Sequence, residues 1–403
     1  MTTFGIEEEF FFLDPVTMLP TDVADDVHRR LAADPRWEGL AQREFLASQV
    51  EFATPVFEDL GDAGAALIAF RREVDAEAAR RALSVASVGT TPDAPHFPSI
   101  TDTDRYHRVV RDMAGVIADH QMSGLHVHVG VPSREHGVAA LNAVRPWLPL
   151  LTAMTGNSPL WRRHVTGYES WRTVQLRRWT TSGCPPRFTG ADDYDRRIHA
   201  MLGMGGLTDL ALIAWNVRLS EHVPTIEFRM ADAQLTADDT LLTTALCRAL
   251  VIRAVDEFDR FGADLWRPVR PADDPDPDLQ PELLSAATLH AAHSGLSDGA
   301  FDPATGVLVP AHDLMRRLER HLAEPLERTG DRALVHELIG RLQRDGTGAA
   351  RQLAAWRRNG LAGVRRLFAA TITAHPSTAA STRRSDGLPV VAADPAGPIP
   401  SNG

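Results

Sequence analysis

Glu7 and Glu9 lie two residues apart in the run Phe4-Gly5-Ile6-Glu7-Glu8-Glu9-Phe10. On a strand, alternate side chains share a face, so the two carboxylates stand roughly 6.5 Å apart along the chain. Glu8 points the other way. Like charges held together need a proton or a cation between them. Hard divalent cations take oxygen ligands of this kind. Glu51, in Gln49-Val50-Glu51-Phe52-Ala53, offers a further carboxylate opposite the apolar Val50 and Phe52. His126 and His128 share one face of Gly124-Leu125-His126-Val127-His128-Val129-Gly130, and a His-x-His strand can present two metal ligands. Glu227 and Arg229 repeat the spacing in Thr225-Ile226-Glu227-Phe228-Arg229-Met230. Glu227 could complete an acidic metal cluster. Arg229 could hold a phosphate oxygen or stabilise a transferred phosphoryl group. Taken singly, each pair also suits a solvent-facing strand or a cross-strand salt bridge. Their repetition argues for a sheet with one dry face and one ionic face. Bound magnesium and ATP would account for that ionic face.

The elements that must carry these residues follow from hydrophobic period. Strands are expected at 3–13, 48–53, 84–89, 124–130, 210–218 and 225–231. Long helical patterns cover 60–83, 104–120, 135–155 and 238–258, with prolines 146 and 149 interrupting the third. The stretch 156–190 is rich in Trp, Arg, Gly, Ser and Pro, and is long for a connection, a length often associated with function. Residues 271–281 form an acidic, proline-rich linker. Helices are expected at 282–293, 311–326, 331–342 and 348–356. Strands thus fall in the first 60 % of the chain and helices fill the rest. This pattern predicts one α+β domain over 1–370, mainly helical from 281. The Pro/Ser/Thr/Ala-rich tail 371–403 lacks the large apolar residues that would offset its ordering entropy.

The chain has 403 residues and a formal net charge of −11, from 42 Lys plus Arg and 53 Asp plus Glu. That balance argues against a nucleic-acid surface, which needs a concentrated basic patch. The local cations Arg162, Arg163, Arg177 and Arg178 suit an anionic small ligand at least as well. Two cysteines, Cys184 and Cys247, are too few for a disulfide scaffold. No segment approaches 18 uncharged apolar residues, so no membrane association is expected. The first twelve residues carry three consecutive glutamates in place of a signal peptide's basic start and apolar run. A cytoplasmic protein is expected. Neither a Gly-x-x-x-x-Gly-Lys-Ser/Thr loop nor a Gly-x-Gly-x-x-Gly loop is present.

Six segments in order resemble the YbdK-type carboxylate–amine ligases, also called glutamate–cysteine ligase 2. These are Gly5-Ile6-Glu7-Glu8-Glu9-Phe10, Gln49 to Pro55, Gly124 to Gly130, Asn157-Ser158-Pro159-Leu160-Trp161, Thr166-Gly167-Tyr168 and Thr225 to Arg229. The glutamate–cysteine ligases and glutamine synthetases are more distant relatives. The resemblance implies a curved, mainly antiparallel sheet forming an active-site funnel covered by helices, the glutamine synthetase-like catalytic fold. It implies ATP and Mg²⁺, or Mn²⁺, in that funnel. Glu7, Glu9, Glu51, His126 and Glu227 match positions that bind metal or lie beside it, and Arg229 matches a phosphate-contacting arginine. Glu227 and Arg229 are therefore the expected catalytic pair. The stretch 157–179 would form the substrate mouth, with Arg162, Arg172 and Arg178 as candidates for nucleotide or carboxylate contacts. Asn216 stands where the family usually has an acidic residue, and His290 to Ser294 departs from the family pattern.

The implied reaction is ATP-dependent ligation of a carboxylate, expected to be the glutamate γ-carboxylate, to a small amino acid or amine through an acyl phosphate. The partners are small-molecule acid and amine substrates, and a homodimer is the expected assembly. The sequence leaves two other readings open. One is a nucleotide-binding relative without catalysis, and the other an ATP-independent metal-dependent amide hydrolase.

Overall fold

The computed structural model describes residues 2–207, 209–262, 275 and 279–374. Most of the expected linker and nearly all of the tail lie outside them. The strands are β1 (Phe4–Leu13), β2 (Ala41–Arg43), β3 (Gln49–Ala53), β4 (Ser84–Ala86), β5 (Gly124–Gly130), β6 (Leu160–Trp161), β7 (His164–Val165), β8 (Val217–Leu219), β9 (Thr225–Asp232), β10 (Ala300–Phe301) and β11 (Leu308–Val309). The helices in the first part are α1 (Ala24–Ala32), α2 (Leu60–Arg80), α3 (Asp104–Met113), α4 (Arg134–Val144), α5 (Leu148–Met154), α6 (Trp171–Leu176), α7 (Ala191–Gly203) and α8 (Ala237–Phe261). They are followed by α9 (Pro281–Ser294), α10 (Ala311–His321), α11 (Ala323–Thr329), α12 (Arg332–Asp345) and α13 (Gly348–Thr371). The main sheet runs β2-β3-β1-β5-β9-β8, with β4 added beside β1, and every pairing is antiparallel. It is an open, mixed helix-and-sheet architecture, as the sequence implied.

Helices α2, α4 and α8 cover the apolar face, where Ile6, Phe10, Val50, Phe52, Val127, Ile226 and Phe228 belong to one continuous core. β1 alternates only in its first half. Phe10 to Leu13 are all buried, because Phe11 and Leu13 enter a second core on the opposite face with Leu160, Trp179, Val364 and Phe368. That second core closes one end of the ionic face. The polar groups are confined to the other end.

Several expected boundaries moved. Residues 210–212 form a 3-10 turn, and β8 is only three residues long. The expected helix 311–326 breaks at Leu322 into α10 and α11. The last helix runs to Thr371, well past Trp356, bending at Asn359-Gly360. Its apolar stripe continues through Val364 and Phe368, which pack into the second core. The short α1 and β2 and the 13-residue α7 have no counterpart among the expected elements. Among the described residues, no helix is long and apolar enough to cross a membrane.

Glu8 shows what the apolar face demands of a charge. Its carboxylate and the Arg71 guanidinium are both fully buried. Arg71 Nε donates to Glu8 Oε2 at 3.0 Å and Nη2 to Oε1 at 2.6 Å. The remaining donors of Arg71 reach the carbonyls of Gln234 and Leu235. Thr240 Oγ1 donates to Glu8 Oε1. The pair bolts the segment after β9 to β1 from behind.

Candidate active site

Register places the ionic side chains side by side. Across β1 and β3, Glu9 faces Glu51, and across β1 and β5, Glu7 faces His126. His128 faces Glu227 across β5 and β9, and Arg218 faces Glu227 across β8 and β9. Pairing of β5 with β9 shifts between Leu125 and Val127, so β9 carries one extra residue opposite His126. Such a bulge re-aims side chains, and here it falls at Arg229 and Met230.

Two trios of potential ligands result. One is Glu7, His126 and Glu227; the other is Glu9, Glu44 and Glu51. In each, the ligand atoms lie within 4.8 Å of one another. Glu44 was missed from sequence. It follows the three-residue β2, seven positions before Glu51, and no strand alternation marks it. Its loop is held by Thr101, whose hydroxyl donates to Glu44 O at 2.6 Å and whose N–H donates to Phe45 O at 3.0 Å.

The electrostatics differ between the trios. Burial pushes Glu7 up, but hydrogen bonds with His126 and His128 and the positive charge of His128 outweigh it and hold the carboxylate well below its usual range. His126 Nδ1 lies 2.8 Å from Glu7 Oε2, and His128 Nε2 lies 3.2 Å from Glu7 Oε1. Burial and the nearby Arg229 push His126 down to about 4, which keeps its imidazole neutral and fit to ligate. Burial raises Glu227, but Arg229 and Arg218 overcome it and hold the carboxylate strongly ionised. Arg229 Nη1 donates to Glu227 Oε1, and Arg218 Nε donates to Oε2 at 2.6 Å. The cross-strand salt bridge considered from sequence is thus present, within the cluster rather than instead of it.

The second trio behaves oppositely. Burial, then the Glu44 charge, pushes Glu9 up to about 8. Glu51 is raised well above its ordinary value by burial and by Glu7, Glu44 and Glu9, and Glu44 is also raised, chiefly by burial. One buried and two half-buried carboxylates with too little positive charge form a donor set fitted to a hard divalent cation. A consequence follows for pH. Glu9 holds its proton in the folded state up to about 8, while the unfolded chain releases it near the ordinary value of 4.5. The folded state binds more protons between these values, so stability of the metal-free protein falls as pH rises through that window. Thermal melts should show Mg²⁺ stabilising the protein more at pH 8.5 than at pH 5.5. Equal stabilisation at both would contradict this.

Of the arginines expected at the mouth, Arg172 is buried beside the carboxylates. A Cβ on Gly124 would lie 2.5 Å from Arg172 Nη2 and 3.2 Å from His126 Nε2, and Gly124 N–H donates to Glu9 Oε2 at 3.0 Å. The guanidinium therefore packs over Gly124, near both trios. Gly124→Ala should displace it and lower kcat/KM by about a hundredfold with only a small drop in melting temperature. Arg162 and Arg178 have local partners instead. Arg162 occupies the tip of the β6–β7 hairpin, pairing with Asp119 and covering the Trp161 ring. Arg178 Nη1 donates to Ala118 O at 2.7 Å. Asn216 is buried beside Arg229, whose N–H donates to Asn216 O at 2.8 Å, and lines a small cleft with Thr173 and Thr288. In the altered segment, His293 packs its ring against Tyr168 and His290 Nε2 reaches Gly299 O. Burial pushes the Cys184 thiol up to about 11, so it is no nucleophile near neutral pH.

A cleft of about 540 Å³ opens beside the first trio. Glu7, His128 and Thr225 stand in its wall with the apolar Phe4, Val56, Val131 and Val223.

The family model of glutamate–cysteine ligase family 2 matches residues 3–370. The chain belongs to that family. A protein of Salinispora tropica provisionally named glutamate–cysteine ligase 2 is 39 % identical over 89 % of this chain and 91 % of its own length. A Mycolicibacterium vanbaalenii protein with a similar provisional name is 38 % identical over 89 % of this chain and 94 % of its own. Among solved structures, a glutamate–cysteine ligase of Francisella tularensis in complex with AMP superposes with a TM-score of 0.58 at 12 % identity. That match covers 94 % of this chain and 91 % of the other. A bifunctional glutathione synthetase from Pasteurella multocida gives a TM-score of 0.60 at 14 % identity, covering 92 % of this chain and 52 % of that longer one. At such low identity these structures speak for the fold alone. Membership of glutamate–cysteine ligase family 2 makes this chain an ATP-dependent carboxylate–amine ligase.

Proposed function

We propose that this ligase joins the γ-carboxylate of glutamate to the amino group of a small amino acid or amine, with ATP and Mg²⁺ in the ionic face of the sheet. The observation that carries the reading is the pair of ligand trios with Arg229 and Arg172 set among them.

A carboxylate is a poor electrophile, being anionic and resonance-stabilised. Its oxygen first attacks the γ-phosphorus of ATP; the bond to the β-phosphate oxygen breaks and ADP leaves. The amine then attacks the acyl carbon of the resulting acyl phosphate, inorganic phosphate leaves with the C–O bond pair, and the nitrogen loses its proton. The cleft beside Glu7 suits the nucleoside, with its phosphates toward Glu7, His126 and Glu227. Glu9, Glu44 and Glu51 would hold a second cation. Divalent cations bound there would neutralise the triphosphate and the charge that develops in transfer.

The chain's own groups do the rest. Arg229 is anchored by Glu227 yet about a quarter exposed, with side-chain exposure of 23 %, so its free N–H groups can meet the transferred phosphoryl oxygens. Arg172, placed between the trios, would hold the carboxylate of the acid substrate. The second core closes the end of the face and limits water that would hydrolyse the acyl phosphate. A cytoplasmic location and a homodimeric assembly belong to the same proposal.

The test is ADP release by purified protein with ATP, Mg²⁺ and glutamate across a panel of amines, with mass detection of products. ADP formation that requires one amine, with the matching condensation mass, supports the reading. Amide hydrolysis without ADP would point to the metal hydrolase. Nucleotide binding without turnover for any pair would point to the non-catalytic relative.

A further inference from the structure

β9 ends on Asp232, a buried carboxylate outside both ligand trios. Its Oδ2 accepts the Asn157 N–H at 2.8 Å and the Ser158 hydroxyl at 2.7 Å, and Oδ1 accepts the Ser170 hydroxyl at 2.8 Å. Ser158 and Ser170 in turn hold the first turn of α6: Ser158 Oγ accepts the Arg172 N–H at 3.0 Å, and Ser170 caps the Thr173 N–H. Ser158 and Trp171 also join through backbone, with Trp171 N–H donating to Ser158 O at 3.0 Å. One carboxylate thus gathers both ends of the segment 157–172, which bears the arginine packed over Gly124.

The socket around it leaves no slack. A Cβ on Gly89 would lie 2.5 Å from Asp232 Cγ, and one on Gly348 would lie 2.2 Å from Asn157 Oδ1. From α13, Gln352 Nε2 donates to Asn157 O at 2.9 Å and to Asn157 Oδ1 at 2.6 Å. Asn157 Nδ2 donates back to Ser87 O and Ala233 O. The C-terminal helix is therefore tied to the active-site segment through the same knot. Arg172 Nη2 and Nη1 reach the carbonyls of Arg229 and Met230 at 3.2 and 3.4 Å, while its buried Nε has no partner among the described residues. An unpartnered buried donor is what an incoming acceptor would satisfy.

We propose that Asp232 is a positioning residue, which clamps the segment 157–172 so that Arg172 presents its guanidinium between Glu9 and His126 to the carboxylate of the acid substrate. The inference rests on the ligase reading above. Asp232 touches no reacting atom; it acts through Ser158, Ser170 and Arg172.

A double-mutant cycle separates this role from general support of the fold. Asp232→Asn keeps the shape and removes the charge. It should raise KM for the acid substrate about tenfold and leave KM for ATP within about twofold. Arg172→Gln should do the same, and the double variant should be little worse than the more damaging single. Effects that multiply, or an equal rise in both KM values, would overturn the proposal. Ser158→Ala and Ser170→Ala each remove one hydrogen bond to Asp232 together with the cap that hydroxyl gives α6, and serve if Asp232→Asn does not fold; each should shift the same KM by a smaller factor. Hydrogen exchange needs no turnover. Asp232→Asn should speed exchange at the amides of Asn157 and Arg172 while β5 keeps its protection. Unchanged exchange there overturns the clamp, even if the wild-type protein ligates no pair in the panel and the ligase reading itself falls.

Discussion

Arg229→Gln is expected to lower kcat by about a thousandfold while leaving KM for ATP nearly unchanged. An arginine opposite a transferred phosphoryl group contributes about 10³ or more to the rate, because it meets charge that develops in the transition state. The variant should still fold. Glu227 keeps Arg218, which donates to its Oε2 and also to the carbonyls of Leu210, Ala211 and Ile213. Arg218 is the structural member of the pair; Arg229 is the one with free donors. Single-turnover ADP formation is the direct measurement. A kcat within about threefold of wild type would remove Arg229 from the chemistry. Arg229→Lys should recover only part of the loss, since a point charge cannot reproduce the planar fork.

Arg71→Met should cost about 3–5 kcal/mol of stability, the largest loss expected from a substitution outside the site. Removing the guanidinium strands the fully buried Glu8 carboxylate in the apolar core, with Thr240 the one donor left to it among the described residues. The companion double variant, Glu8→Met with Arg71→Met, should recover much of that loss, because no buried charge remains. Urea unfolding of both, with metal present, reads the effect. If the double variant were as unstable as Arg71→Met, the damage would come from the lost anchors at Gln234 and Leu235 rather than from the stranded charge.

The positions of these residues were unevenly legible. Strand period alone put Glu7 and Glu9 on one face and Val50 and Phe52 on the other, because side-chain direction alternates strictly along an extended chain. The same rule sent Glu8 to the opposite face, where it is indeed found. It could not say that Glu8 would meet Arg71, 63 residues away, since pairing across elements has no local signature. Nor could it show that Arg162 would be spent on Asp119 while Arg172, ten positions later, would sit among the carboxylates. Both arginines occupy the same irregular, Trp- and Arg-rich stretch, and only the folding of that stretch against β9 distinguishes them.

Composition and period by themselves determined an α+β chain whose strands carry acidic and histidine pairs on one face, and the ordered motifs determined its family. Those are properties of neighbouring residues, which the covalent chain holds at known spacing. The tertiary structure decided the rest. It brought Glu44 to Glu9 and Glu51 from the loop after a strand too short to show alternation. It placed a register shift in β9, which breaks the simple alternation at the point where Arg229 must turn toward the site. It drew α13 and the segment 157–172 onto Asp232. Each depends on contacts between residues far apart in sequence, and their energies are set by burial, which does not exist until the chain has folded.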